Sequence, residues 1–66
     1  MATRKIYVVN APLGRLNVRE EPSLSARIVT TIETGENVRI DPKVKAPDGW
    51  KAVEAGGGFV MAEFLE

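Results

Sequence analysis

Leu16-Asn17-Val18-Arg19-Glu20-Glu21-Pro22-Ser23-Leu24-Ser25 decides the fold of this chain. Leu16 and Val18 alternate with Arg15, Asn17 and Arg19, the period of a strand with one face buried and one wet. Glu21-Pro22-Ser23 then stops the strand, because proline fixes φ and serine bonds its own backbone in turns. After Pro22, a short helical turn over Ser23–Arg27 is the one alternative to an irregular loop.

Outward from that segment the pattern repeats. Ile6 and Val8 alternate with Lys5, Tyr7 and Val9. Ile28, Thr30 and Ile32 share a face, although Val29 makes that run apolar on both sides. Val38 and Ile40 alternate with Asn37, Arg39 and Asp41. Trp50–Glu54 and Gly58–Met61 are two further short runs. Turn residues separate them at Ala11–Gly14, Thr34–Glu36, Pro47–Gly49 and Gly56–Gly58. The glycine triplet suits a tight hairpin or a close approach of another backbone. Ala62–Leu65 is expected to close the chain with one 3₁₀ turn. Short strands of this number cannot make two large sheets. The expectation is an all-β fold, a small bent barrel of five to six antiparallel strands, closed so that its edges are covered. The expected core is Ile6, Val8, Leu16, Val18, Ile28, Ile32, Val38, Ile40, Val53, Val60 and Leu65.

Composition narrows the chemistry. With 66 residues the chain is one domain, 1–66, and no internal repeat or linker divides it. Nine Lys+Arg against nine Asp+Glu give no net charge, which argues against a nucleic-acid binder with its basic face. There is no Cys and no His. That excludes a disulfide scaffold, zinc held by thiolate or imidazole, a Cys nucleophile and a His-based triad. Glu20-Glu21 lies on one loop and cannot frame a sugar as a glycosidase pair does. Gly56-Gly57-Gly58 lacks the Lys-Ser/Thr and helix of a phosphate loop, and Glu36, Asp41 and Asp48 lack calcium-loop spacing. The reading is therefore not an enzyme, with no cofactor and no metal.

The ordered set of Leu16-Asn17-Val18-Arg19, Pro22-Ser23, Ser25, Ile28-Val29, Ile32, Gly35, Val38, Ile40, Gly49-Trp50, Val53, Gly58-Phe59-Val60 and Phe64-Leu65 resembles the bacterial SH3 domain over roughly residues 5–66. The resemblance implies an SH3-like barrel that acts as a non-catalytic binding module. Similar domains hold secreted or phage-encoded hydrolases on peptidoglycan through its short peptides. The alternative is a protein–protein interaction or regulatory module, inside the cell or on a phage particle. Three departures bear on the ligand: the long Asn10–Arg15 connection, the long Asp41–Asp48 loop, and Lys51-Ala52 directly after the Trp.

Trp50 is the leading ligand-contact candidate, since an outward indole beside a loop offers a flat surface to a peptide; the competing role is to cover one end of the barrel. Tyr7 joins it as a second wall if the first and fifth strands come together. Arg19 alternates with Val18 and could pair a carboxylate, but hydrogen bonding to carbonyls of the Glu20–Ser25 loop is its leading role, and local backbone bonding is that of Asn17. Lys51 and Asp48 complete the candidate set. Phe59 and Phe64 are expected beneath the terminal turn.

The expected partner is a cell-wall peptide or a protein ligand, without nucleic acid or a membrane span. The chain is read as a monomer, with strand exchange into a dimer left open. The first residues, Arg4-Lys5 before a four-residue apolar run, do not make a signal peptide. Two settings fit: cytoplasmic as written, or cell wall if the chain is part of a secreted protein.

Overall fold

The structure, a computed structural model, describes residues 5–54 and 57–66. Arg4 and Gly56, each part of a motif in the sequence, lie outside them. Six strands succeed one another: β1 (Ile6–Val8), β2 (Arg15–Arg19), β3 (Ile28–Glu33), β4 (Asn37–Arg39), β5 (Trp50–Ala52) and β6 (Phe59–Met61), with a 3₁₀ turn over Ala62–Phe64. Every strand pair is antiparallel. The Ser23–Arg27 stretch is a turn and not a helix, with Ala26 N–H donating to the Ser23 carbonyl at 3.1 Å.

The strands form a four-stranded sheet in the order β3-β2-β6-β5 and a two-stranded sheet β1-β4. Bridges Ile40–Val53 and Val9–Leu65 join the two at separate corners. At the second corner the end of β1 meets the last residue: Val8 and Glu66 exchange backbone hydrogen bonds of 2.9 and 2.8 Å. The barrel-like fold is thus all-β, as expected.

Closure is less complete than expected. β3 and β4 are joined by the tight Thr34–Glu36 turn, yet they do not pair. An apolar seam lined by Thr30, Ile32, Val38 and Val53 separates them. β3 is consequently an edge strand, and five of its six residues are exposed. The turn is closed by Glu36 N–H donating to the Glu33 carbonyl at 3.1 Å, and it is also held by its flanks, with Gly35 N–H donating to the Val9 carbonyl and Thr34 N–H to the Gly14 carbonyl, each at 2.9 Å.

The core comprises Val9, Ala11, Leu16, Val18, Val38, Ile40, Ala52, Val53 and Val60, with Tyr7, Ile32, Phe64 and Leu65 half-buried against it. Three expected members are corrected. Ile6 and Val8 are exposed, because the face of β1 is inverted. β1 is apolar on both sides, so register decides. Tyr7 stands opposite Val38, and partners across a ladder project to the same side. Buried Val38 therefore takes Tyr7 inward, and Val9 goes with it. Ile28 is also exposed. A bulge sets Val18 opposite Thr30 and Arg19 opposite Ile28, leaving Val29 as the extra residue. The alternation slips by one, and Ile28 falls on the outward side with Arg19.

Thr34 ties the long Asn10–Arg15 connection to this frame. Its hydroxyl accepts from Ala11 N–H at 2.9 Å and donates to the Ala11 carbonyl at 3.0 Å. Thr34→Val keeps the shape and leaves the N–H of buried Ala11 without a partner, while the Ala11 carbonyl keeps only Gly14 N–H. A loss of about 2 kcal/mol is expected, read as a lower urea midpoint with unchanged slope.

Candidate functional site

Trp50 opens β5 directly after a tight turn. Trp50 N–H donates to the Pro47 carbonyl at 3.0 Å, and Gly49 sits at φ +90°, the left-handed position that such a turn reserves for glycine. The Gly49 carbonyl then accepts from Ala62 N–H at 2.8 Å, which fixes the turn to the end of β6. Trp50 is thereby held half-buried, with Met61 as its partner across β5–β6.

The Asp41–Asp48 loop folds back toward this strand. Asp41 N–H donates to the Ala52 carbonyl at 2.9 Å, and the Asp41 carboxylate accepts from Lys43 N–H at 3.0 Å. The result is a cleft of about 240 Å³ between loop and strand. Ile40, Pro42, Val44, Ala46 and Trp50 give it an apolar lining, and Asp41 and Lys51 also border it.

Of the five candidate residues, Trp50 and Lys51 are brought together here. Asp48 is exposed in the adjoining turn and does not line the cleft. Tyr7 lies in the other sheet, half-buried and packed on the core; β1 pairs with β4 and not with β5. Arg19 borders a different cleft, on β2. Its Nη1 donates to the Ala26 carbonyl at 2.9 Å, which ties down the far end of the 20–27 loop. Glu20 N–H donates to the Arg27 carbonyl at 2.8 Å across the loop's ends, and within it Ser23 Oγ accepts from Ser25 N–H at 3.2 Å and lies 2.9 Å from Ser25 Oγ. Ser23 and Ser25 are therefore builders of the loop. The Arg27–Glu20 ion pair beside it is exposed on both sides and contributes little.

Sequence reasoning did not assign Asp41, Pro42, Val44 or Ala46 to the site. The signal was there in part, since a long loop just before the Trp is the natural second wall. The loop has no periodicity, however, and its fold-back depends on the two Asp41 contacts.

Among the described residues no group of three or more Asp and Glu side chains could hold a metal ion, and no helix is long and apolar enough to cross a membrane. No curated protein matches the chain. The family model of the bacterial SH3 domain matches residues 14–66. That span takes in β2 through the 3₁₀ turn, and residues 1–13, β1 among them, fall outside. On that match and this fold, the chain belongs to the bacterial SH3 domain family.

Proposed function

We propose that this domain is a non-catalytic targeting module that takes short peptides of peptidoglycan in the Trp50 cleft. The observation that carries the reading is the half-buried indole in a cleft of mixed lining, apolar at Ile40, Pro42, Val44 and Ala46 and charged at Asp41 and Lys51. Opposite charges beside an apolar wall suit a small ligand with both amine and carboxylate groups, as wall peptides have. Family membership supports it, since bacterial SH3 domains are binding modules often associated with the cell wall. One aromatic anchor in an open cleft gives weak single-site binding, strengthened when several copies act on one polymer.

The test is a pull-down on purified peptidoglycan of the parent chain and Trp50→Ala, each first shown to be folded by circular dichroism. Retention of the parent and a loss of about tenfold in the variant is expected, the size of an interface anchor. Equal retention of both proteins moves the site away from Trp50. No retention across several peptide chemistries removes the wall reading altogether.

A protein partner is the second reading, and the exposed edge of β3 favours it. An extended segment can add to such an edge through main-chain hydrogen bonds.

A further inference from the structure

A second cleft, of about 120 Å³, lies between the Ala11–Gly14 turn and β2, with Met61 and Phe64 completing its wall. It shares no lining residue with the Trp50 cleft. We propose that it binds the C-terminal end of a peptide whose last residue is aliphatic. The side chain fills the cleft, the terminal carboxylate pairs with Arg15, and the amide on the far side of the penultimate residue, two units back along the extended ligand, pairs with Asn17.

Three observations converge on that ligand. The first is the apolar wall. Leu13 is 91% exposed, the most exposed large apolar side chain among the described residues. It is held there by a built turn, with Gly14 N–H donating to the Ala11 carbonyl at 3.0 Å and the Thr34 clamp behind. Covering Leu13, Met61 and Phe64 with one aliphatic group removes apolar surface from water.

The second is Asn17. It alternates with buried Leu16 and Val18 and so lies on the outer side of β2, half-buried at the cleft. Its carboxamide makes no hydrogen bond within the described residues. A carboxamide offers a donor and an acceptor together, the complement of a peptide bond.

The third is charge. Arg15 and Arg19 border the cleft and no acidic residue lines it. Arg19 is committed through Nη1 to the Ala26 carbonyl. Arg15 is exposed and makes no ion pair among the described residues, although Glu33 stands opposite it in the β2–β3 register. Its guanidinium can take a carboxylate through two parallel N–H bonds. Arg15 and Asn17 stand two residues apart on one strand, about 7 Å. That matches the repeat of an extended ligand lying along β2.

The test is an NMR titration of the whole chain with N-acetyl-alanyl-leucine and, in parallel, with its C-terminal amide. Shifts are expected to cluster at residues 11–17, Met61 and Phe64, and the free acid should bind about tenfold more tightly. Arg15→Gln should bring the acid down to the affinity of the amide while leaving the amide unchanged. Leu13→Ser should weaken both probes alike. Both substitutions are at exposed positions and leave the core intact. Equal binding of acid and amide, shifts confined to other residues, or no saturable shifts up to ~10 mM each overturn the proposal. The Trp50 cleft is not involved in this readout, so failure here leaves the wall reading standing.

Discussion

Gly58→Ala should lower the melting temperature by about 15 °C. Gly58 is buried where the chain enters β6, against the back of β2. A Cβ placed there would stand 2.3 Å from Val18 Cγ1 and 3.1 Å from the Arg19 carbonyl oxygen. Neither neighbour can yield cheaply. Val18 is 2% exposed in the centre of the core, and its branched side chain is stiff about χ1. The Arg19 carbonyl belongs to the strand that pairs with β6. Overpacking of this kind costs about 3 kcal/mol, a large share of the stability of so small a domain. A melting temperature within about 3 °C of the parent would show that β2 and β6 are not packed as described.

Leu16→Ala should cost about the same, about 3 kcal/mol, for the opposite reason. Leu16 is 4% exposed and is set opposite Ile32 across β2–β3. Removing its outer atoms forfeits their burial and leaves a cavity that short, cross-bonded strands cannot collapse into. The urea midpoint should fall with an unchanged slope. A loss below about 1 kcal/mol would place Leu16 outside the core.

Both residues were legible in the sequence. The alternation of Leu16 and Val18 reflects a strand with one wet face, and of the two readings of the glycine run, a tight hairpin or a close backbone approach, the second fits Gly58, beside the Arg19 carbonyl. All six strands and the terminal 3₁₀ turn came from the same local signals, and the family came from the resemblance of the ordered motif set to the bacterial SH3 domain. What escaped was set by partners distant in sequence. β1 is apolar on both faces, and only its register with β4 turns Tyr7 and Val9 inward. The bulge beside Arg19 depends on how β3 meets β2, so Ile28 could not be placed from its own neighbours. The seam between β3 and β4 follows a turn that is held to Val9, 26 positions away along the chain.

The candidate site was legible only at its anchor. Trp50 stood out because a glycine turn precedes a single large indole. The wall facing it did not, since Pro42, Val44 and Ala46 carry no pattern until Asp41 folds the loop onto β5. Tyr7 illustrates the converse. Its aromatic ring suggested a second wall, but its side of β1 is decided by Val38.

Trp50 is the only tryptophan in the chain and lines the cleft, so its fluorescence reports on the site directly. Titration with soluble peptidoglycan fragments is the most direct test of the central claim. A saturable change in indole emission, with the midpoint tracking retention on intact peptidoglycan, is the predicted result. Retention on the wall with no change in emission at any fragment concentration would contradict it, because a ligand in this cleft must alter the surroundings of the indole.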